Sequence, residues 1–571
     1  GKLNWQENGI SFSSLNITNP LSYLVQKYNS ESSNLLSSLR LNFKIAKGLE
    51  LTTNLGYTQT QNRETSTSPS TSYDPQLGIL PSAHFLTGLM KGWTIEPRLQ
   101  YSSSIATNNK ITLMVGSTWQ QNITSSIGTH GYNYANDELL GTIAGAGIVQ
   151  ASTGYLKYRY NGLYARIGYN FKDMLLLNAS GRRDGSSRFG PGKQFANFGG
   201  IGIAWILTKS KLLDNLSWLS FAKLRSSYGI TGKDDISDYQ FLETWNPVIN
   251  PYQGTPGLQP THLYNPGYHW ENNKKFEAGI ELAFFSNRLS LSASYFLNRS
   301  GNQLISYQLP IQTGFTSVIA NSPALIQNSG IEILLGGKII SNNQWNWSMD
   351  FNLTRQKNKL LEFPGLENSS YKDFYTIGAS LTQIKGYQFL GIDPATGLYT
   401  FNDVNQNGSI EKAGDYLVLE DRAPKFYGGL KNTVAYKSLS LDLFFEFRKQ
   451  VGQNFLANQN YMGIPGFMVN QPRFVLDRWQ NPGDASSFQK YSQTYGDAYN
   501  QVALYLSRSN GMYSDASFIR LKNISLNYDI RPLFKWKNIE SLRIYINAQN
   551  LLTITNYKGA DPESQNYYRL P

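Results

Sequence analysis

The segment DVNQNGSIEKAGD, residues 403–415, has residue types and spacing similar to those of a calcium-binding loop. Calcium prefers carboxylate and amide oxygens, and this segment offers them from Asp403, Asn405, Asn407, Glu411 and Asp415. Gly408 stands where such a loop turns sharply, but Gly414 replaces the bidentate Glu of an EF-hand. One interpretation is therefore a calcium site at these five side chains. The other, which we favour, is a loop that satisfies its own backbone through Asx turns.

A second cluster of charge lies in the segment RRDGSSRFG, which holds Arg182, Arg183, Asp184 and Arg188. Guanidinium groups bind phosphates and carboxylates through paired N–H donors. One interpretation is therefore a site for an anionic ligand or for a lipopolysaccharide phosphate. The other, which we favour, is a network of ion pairs at the base of a loop.

No residue pattern in the sequence indicates an enzyme. The chain has no Cys, and its four His show no metal-binding spacing. Neither a GxSxG motif nor a P-loop is present. The formal net charge is +12, but no block of Lys and Arg concentrates it. This distribution favours contact with anionic lipid and lipopolysaccharide over nucleic acid.

Long stretches of the chain alternate strictly between apolar and polar residues, which indicates strands with two unlike faces. In WNWSMDFNLTR the apolar face consists of Trp345, Trp347, Met349, Phe351 and Leu353. The same alternation occurs in LYARIGYNF (163–171), LSLDLFFEFR (439–448) and SLRIYINAQ (541–549). We predict an all-β protein.

Three features favour a transmembrane barrel over a soluble sandwich. The alternating segments run about 10 to 13 residues, which is the length that a tilted membrane strand requires. Their polar faces carry charged residues in mid-strand, as a water-filled lumen permits. Aromatic pairs such as Trp345 and Trp347, Tyr169 and Phe171, and Tyr295 and Phe296 fit the girdles at membrane interfaces. No apolar run approaches the roughly 18 residues of a membrane helix.

The predicted connections fall into two classes, which is the pattern of short periplasmic turns and long extracellular loops. The short ones are residues 46–48, 172–173, 286–287, 341–343 and 437–438. The long ones are residues 60–92, 233–268, 355–420 and 449–512. The segments between them predict roughly sixteen strands. Tyr, Trp and Asn in the long loops fit either sugar or peptide binding, or ordinary girdle and loop roles.

Many short segments resemble the SusC/RagA proteins in the order that this family shows. They are NPLSYL (19–24), KGLELTTNLGY (47–57), IEPRLQY (95–101), GSTWQQ (116–121), NASGRRDGSSRFG (178–190), IGIAW (201–205), KLRSSYGITG (223–232), HWENNKKFEAGIEL (269–282), NRLSLSASYFLNR (287–299), TGF (313–315), NSGIEI (328–333), GIDPATGLY (391–399), DVNQNGSIEKAGD (403–415), SFIRLKNISLNY (517–528) and INAQNLLTITNYKGADPE (546–563).

The resemblance implies a large antiparallel transmembrane β-barrel of about 22 strands when complete, in the bacterial outer membrane. Residues 1–571 would be its barrel domain. The TonB box, the plug domain and the first strands would precede residue 1, and an aromatic-ended closing strand would follow residue 571.

By the same resemblance, the protein would import a bulky nutrient, an oligosaccharide or an oligopeptide. A SusD-like surface lipoprotein would cap it, and TonB–ExbB–ExbD would supply energy through the plug. Ordering the long loops costs about 1–2 kcal/mol per residue, so we expect them to stay largely mobile without such a lid. The alternatives are a passive porin and a structural or assembly component of the outer membrane.

Overall fold

Sixteen long strands form one sheet that makes up most of the chain. The computed structural model describes residues 3–13, 18–106, 108–213, 215–248, 253, 255, 257–457, 466, 473–531, 534 and 539–565. We number the strands β1 Lys27–Ala46, β2 Leu49–Ser68, β3 Ser82–Ala106, β4 Asn109–Tyr132, β5 Ile148–Phe171, β6 Leu175–Ser186, β7 Phe195–Ile206, β8 Leu219–Lys233, β9 Glu271–Phe284, β10 Leu289–Gly301, β11 Leu325–Ser341, β12 Trp345–Glu362, β13 Phe426–Tyr436, β14 Leu439–Lys449, β15 Phe518–Asp529 and β16 Arg543–Thr555.

The strands follow one another around the sheet in chain order, and every neighbouring pair is antiparallel. This confirms the predicted all-β fold and the predicted number of strands. Within the described residues, β1 and β16 each pair with one neighbour only. A wall of about 22 strands stays a prediction. The closing strand predicted beyond residues 567–571 also lies outside the described part of the chain.

Short hairpin elements and single helical turns occupy the connections. The paired short strands are Gln6–Glu7 with Ile10–Ser11, Thr244–Pro247 with Leu258–His262, Leu304–Gln308 with Ser317–Asn321, Gln383–Gly386 with Leu417–Asp421, Phe389–Ile392 with Tyr399–Phe401, and Val451–Gln453 with Tyr513–Asp515. The α-helices are Lys412–Asp415 and Asp497–Asn500, and Gln501–Tyr505 is a π-helical turn. The 3₁₀ turns are Pro20–Leu24, Ser70–Ser72, Pro75–Leu77, Asp137–Gly141, Ile143–Gly145, Leu207–Lys209, Lys211–Leu213, Ile311–Thr313, Leu366–Asn368, Phe455–Ala457, Arg473–Asp477, Leu506–Arg508 and Asn510–Met512. None of the helices in the described ranges has the length and apolar character needed to cross a bilayer.

All five predicted short turns lie at one end of the sheet, and the long loops lie at the other. Lys172 and Asp173 both adopt left-handed backbone conformations, with φ of 52° and 53°, as a tight hairpin turn between twisted strands requires. Gly48 has a φ of 77°, and a Cβ there would collide with the Ser102 carbonyl oxygen. Two further connections at this end, residues 207–218 and 530–542, are longer than a tight turn.

Two predicted loops have wrong bounds. Residues 355–362 were expected to begin a long loop, but they form the end of β12. Residues 60–92 were expected to form a long loop, but β2 continues to Ser68 and β3 begins at Ser82. The strands run from 11 to 25 residues, so the shorter ones agree with the predicted 10 to 13 and the longer ones exceed it. The physical reason is that the segment TQTQNRETSTS of β2 is polar on both faces. Such a segment suits a strand that continues past the membrane into water, and it does not show the two-faced alternation.

The strand register places apolar side chains together on the outer face of the sheet. Leu335, Phe351, Leu430, Phe445 and Leu521 are cross-strand neighbours on β11 to β15. A second row across β5 to β9 consists of Ile167, Ala179, Ile201, Tyr228 and Phe276. Because opposed side chains on paired strands share a face, these rows form an apolar belt of the kind that contacts lipid.

Aromatic residues mark the lower edge of this belt, next to the short turns. Trp345 lies 4.5 Å from Tyr436 between ring centroids, and Trp218 stacks on Phe284 at 5.6 Å. This confirms an interfacial girdle at Trp345. Phe296 is an exception to the prediction, because it pairs with Glu277 on the polar inner face and so cannot share the outer face with Tyr295.

Candidate functional site

The two longest loops fold together into one unit, which we call the loop platform (residues 363–425 and 450–517). Its hydrophobic core contains the buried side chains Tyr387, Tyr399, Phe401, Leu456, Phe488, Val502 and Leu506. Backbone contacts also join the loops: the Tyr387 N–H donates to the Arg508 carbonyl at 2.9 Å, and the Lys490 N–H donates to the Gly397 carbonyl at 2.8 Å. Residues 458–465 and 467–472 of the second loop lie outside the described residues.

This core corrects the expectation that the long loops need a lid to become ordered. Burial of apolar side chains within the platform offsets the entropy of ordering its backbone. Tyr399 and Leu506 are each only 1% exposed. A partner is therefore not needed to order these loops.

We expect Leu506→Ala to loosen the platform and leave the barrel intact. Removing a buried Leu side chain costs about 2–5 kcal/mol when the site cannot collapse. Limited proteolysis in detergent should therefore cleave residues 363–425 and 450–517 much faster, while the strands stay resistant. Leu504→Ala is the matched control, because that neighbour is 48% exposed. Equal cleavage of the two variants would show that this core does not hold the platform.

The predicted calcium residues all lie in the platform, where each has protein partners. The Asp415 carboxylate is fully buried and accepts the N–H groups of Val404 at 2.7 Å and Glu411 at 2.9 Å. Asp403 accepts the Gly408 N–H at 2.7 Å and the Asn407 N–H at 3.2 Å. Since these oxygens have donors already, the loop is organised by Asx-type hydrogen bonds.

The remaining members of the set are linked through one carboxylate oxygen. Glu411 Oε1 accepts the side-chain amide of Asn407 at 2.8 Å and that of Asn405 at 3.5 Å. In the described part of the chain, no group of three or more His, Cys, Asp or Glu is arranged to hold a metal ion. Calcium at this loop stays one of two interpretations, and a chelator test decides between them.

We expect a calcium chelator to leave cleavage of residues 403–415 unchanged, and Asp415→Ala to increase it. Asp415 has a lowered pKa, chiefly because its carboxylate accepts the Glu411 N–H. The ionised form therefore stabilises the loop above the ordinary Asp pKa of about 3.9, and this contribution is lost as the pH falls below it through the lowered pKa. Proteolysis with and without chelator is the measurement, and Glu411→Gln is the control. A chelator-dependent increase would establish calcium instead.

The arginine cluster divides between the two faces of the sheet. Arg182 pairs with Asp184 at 2.7 Å, and Arg188 pairs with Asp238 at 3.1 Å. Arg183 lies on the outer face, where its guanidinium is 5.2 Å from the Phe195 ring centroid. The favoured ion-pair network is therefore present at Arg182 and Arg188, and Arg183 does not take part in it.

The inner face of the sheet is polar, and several of its charges are paired. Lys223 and Arg225 on β8 each reach Glu281 on β9 at 3.2 Å, and Arg225 also pairs with Glu277. Asp442 accepts the Thr433 hydroxyl at 2.6 Å. A wall of this kind contacts water or a hydrophilic solute.

A recess of about 600 Å³ lies in this inner wall between β5 and β8. Tyr160, Tyr164 and Phe198 line it with aromatic rings, and Arg166 adds a cation. Gly200 and Gly229 are opposed across β7 and β8, so no side chain fills the space between them. Aromatic rings beside an open, polar-rimmed recess are suited to stack on a planar or ring-shaped solute.

Sequence patterns alone did not identify these recess residues. The alternation of Tyr158, Tyr160 and Tyr164 could have pointed to an aromatic inner face. The recess itself depends on opposed glycines from different strands, which have no polarity signal.

At the long-loop end, a buried ion cluster, here called the DPE clasp, joins β14, β15 and the segment after β16. It consists of Glu446, Arg520, Lys522, Asp561 and Glu563. Arg520 is 2% exposed, pairs with Asp561, and reaches Glu563 at 2.7 Å. Arg520 Nε also donates to the Thr553 hydroxyl at 2.9 Å. The clasp thereby fixes residues 561–565 to the inner wall.

Comparisons with known proteins agree with this architecture. The family model described as "TonB dependent receptor-like, beta-barrel" matches residues 3–551. The chain is similar to TonB-dependent receptor P3 of Formosa agariphila, with 26% identity over 554 residues that cover 91% of this chain and 54% of that protein. It is also similar to TonB-dependent receptor SusC of Bacteroides thetaiotaomicron, with 25% identity over 432 residues that cover 70% and 41%. The chain spans about half the length of the curated relatives it matches.

A solved structure described as the RagAB peptide transporter superposes with a TM-score of 0.82 at 24% identity, covering 96% of this chain and 61% of that one. At this identity the likeness shows the fold alone. Together with the relatives, it confirms the resemblance to SusC and RagA proteins that the sequence indicates. The chain belongs to the TonB-dependent receptor-like β-barrel family, and its sixteen strands form part of the wall of a barrel in the bacterial outer membrane.

Proposed function

We propose that this barrel takes part in TonB-dependent active import of a bulky nutrient, an oligosaccharide or an oligopeptide, across the outer membrane. The observation that carries the proposal is a polar inner wall with an aromatic recess, beneath a folded extracellular platform. TonB–ExbB–ExbD supplies the energy through a plug domain. SusC, a relative, and RagAB, a fold neighbour described as a peptide transporter, support an importer without deciding between sugar and peptide.

The recess is the part of the wall that we expect to contact the solute. Tyr164→Ala should lower uptake of the transported nutrient roughly two- to tenfold, because one aromatic stacking contact contributes about 0.5–1.5 kcal/mol. Tyr169→Ala is the matched control, since Tyr169 lies on the outer face of the same strand. Uptake of labelled oligosaccharides and oligopeptides into cells that produce the full-length protein is the measurement, and it also assigns the substrate class. Equal loss in both variants would remove the recess from the path.

We also propose that a SusD-like lipoprotein docks on the loop platform. Four large apolar side chains of the platform are strongly exposed: Phe374 at 65%, Leu390 at 61%, Leu476 at 65% and Tyr495 at 79%. Large exposed apolar side chains on an already folded surface are typical of a protein contact. A standard interface buries roughly 1,600 Å², which a platform of this size can supply.

Purification in mild detergent through a tag on this protein tests the lid. We expect a lipoprotein to co-purify in stoichiometric amount, and the double variant Leu390→Glu with Tyr495→Glu to lose it. Ile311→Glu is the control, because Ile311 is 84% exposed in a different loop. Recovery of the unaltered barrel without a partner would contradict the lid. Protease resistance of the loops does not bear on it, since the platform has its own core.

A further inference from the structure

Four cations lie on the outer face of the sheet, toward its long-loop end. They are Lys91, Lys157, Arg159 and Arg183. Within the described residues none of them forms an ion pair. Arg159 donates to the Gln121 side chain at 2.9 Å and Arg183 to the Asn197 side chain at 3.2 Å, so both have neutral partners. On the inner face, Arg182, Arg225 and Arg520 have carboxylate partners, whereas Arg166 donates to the neutral Asn178 side chain at 2.9 Å.

The register groups three of these cations. Lys91, Ile123 and Lys157 are successive cross-strand neighbours on β3, β4 and β5. The next row toward the membrane contains Trp93, Gln121 and Arg159. Strands lie about 4.8 Å apart, so the two lysines stand roughly 10 Å from each other across β4. The two rows contain no carboxylate from β2 to β5.

Their height on the barrel places these cations at the outer boundary of the bilayer. A tilted strand crosses the hydrocarbon region in about 9–11 residues. Counted from Phe171 at the short-turn end of β5, that length ends near Asn161, just below Arg159. Trp93, Trp119 and Phe195 stand at the same level and are 38%, 46% and 50% exposed, as an interfacial aromatic girdle requires.

A cavity of about 420 Å³ lies among these side chains and is lined by Trp93, Trp119, Arg159 and Phe195. It opens on the outer face, at the level where lipid headgroups meet water. A molecule bound in this cavity lies in the membrane interface, because the outer face of the sheet below the cavity is apolar. Unpaired Lys and Arg select an anionic head, and Arg in particular suits phosphate oxygens.

We propose that Lys91, Lys157 and Arg159, with Arg183 beneath them, form a binding site for the phosphate groups of a glycolipid in the outer leaflet. The aromatic rings contact the upper part of the lipid, and the cations neutralise its head. The site is separate from the solute path, because it lies on the opposite face of the sheet.

The test measures retention of lipid A on the full chain in detergent by native mass spectrometry. The probes are lipid A with both phosphates and the same lipid after enzymatic dephosphorylation. Each Lys or Arg near an anionic lipid surface strengthens binding roughly fivefold, so the triple variant Lys91→Ala, Lys157→Ala and Arg159→Ala should bind the phosphorylated lipid on the order of a hundredfold more weakly. The unaltered chain should bind the dephosphorylated lipid as weakly as this variant binds the phosphorylated one.

The matched control removes the same charge from the inner face through Lys110→Ala, Lys275→Ala and Lys431→Ala, and it should bind the phosphorylated lipid normally. Three results would overturn the proposal. They are equal binding of both lipids by the unaltered chain, an equal loss in the inner-face variant, and full competition by inorganic phosphate at the concentration of the lipid.

Discussion

Arg520→Leu should destabilise the barrel by about 3–5 kcal/mol. The substitution leaves Asp561, which is 5% exposed, and Glu563 beside it without the guanidinium that neutralises them. Removal of one partner from a buried pair leaves a buried charge uncompensated, which costs more than the pair itself contributes. Unfolding by urea in detergent micelles, followed by tryptophan fluorescence, gives the change in the free energy of unfolding.

Two further variants separate this effect from a general loss of charge. Arg520→Lys keeps the positive charge but loses the forked donor geometry, so it should fall between the wild type and Arg520→Leu. Lys449→Ala breaks the exposed pair with Asp515, whose side chains are 43% and 53% exposed, and should cost less than about 1 kcal/mol. If Lys449→Ala were as damaging as Arg520→Leu, burial of the clasp would not explain its strength.

Leu443→Arg should cost roughly 2–4 kcal/mol, which is the expected price of a cation on the lipid face near the bilayer midplane. Leu443 lies on β14 between Leu441 and Phe445 on the apolar outer face, and its neighbour on β15 is Ile524. Refolding into lipid vesicles at increasing urea concentrations measures the loss.

Control substitutions on the inner face test whether the two faces are assigned correctly. Asn352→Arg introduces the same charge at a similar depth on the inner face of β12, where it meets water. Asp442→Asn removes a charge from the inner face of β14 but keeps an acceptor for the Thr433 hydroxyl. Both should be mild. If these substitutions destabilised the protein as much as Leu443→Arg, the lipid-facing side of the sheet would be wrongly assigned.

The sequence could predict the strands because each one carries a local signal. Residues such as Trp347, Phe351 and Leu443 contact lipid, and their immediate neighbours contact water. Apolar and polar residues therefore alternate along the sequence. The tight turn at Lys172 and Asp173 is equally local. The upper part of β2 was missed because both of its faces meet water, which removes the alternation.

The platform and the clasp could not be predicted in the same way, because their contacts join distant parts of the chain. The platform core brings Tyr387 against residues about a hundred positions further on, such as Leu506. The clasp pairs Arg520 with Asp561. Residues 391–399 and 546–563 were recognised by family resemblance, but nothing in either segment specifies its partner. The five residues of the calcium-like loop form hydrogen bonds within that loop, and whether they bind calcium is untested.

Measuring whether nutrient uptake depends on energy distinguishes active import from passive diffusion most directly. Cells that produce the full-length protein should take up its labelled nutrient, an oligosaccharide or an oligopeptide too bulky for passive pores. We expect uptake to stop when TonB is deleted or when a protonophore removes the proton gradient, while the amount of protein in the outer membrane stays the same. Uptake that continues at the same rate without TonB would contradict active import and would identify the barrel as a passive porin.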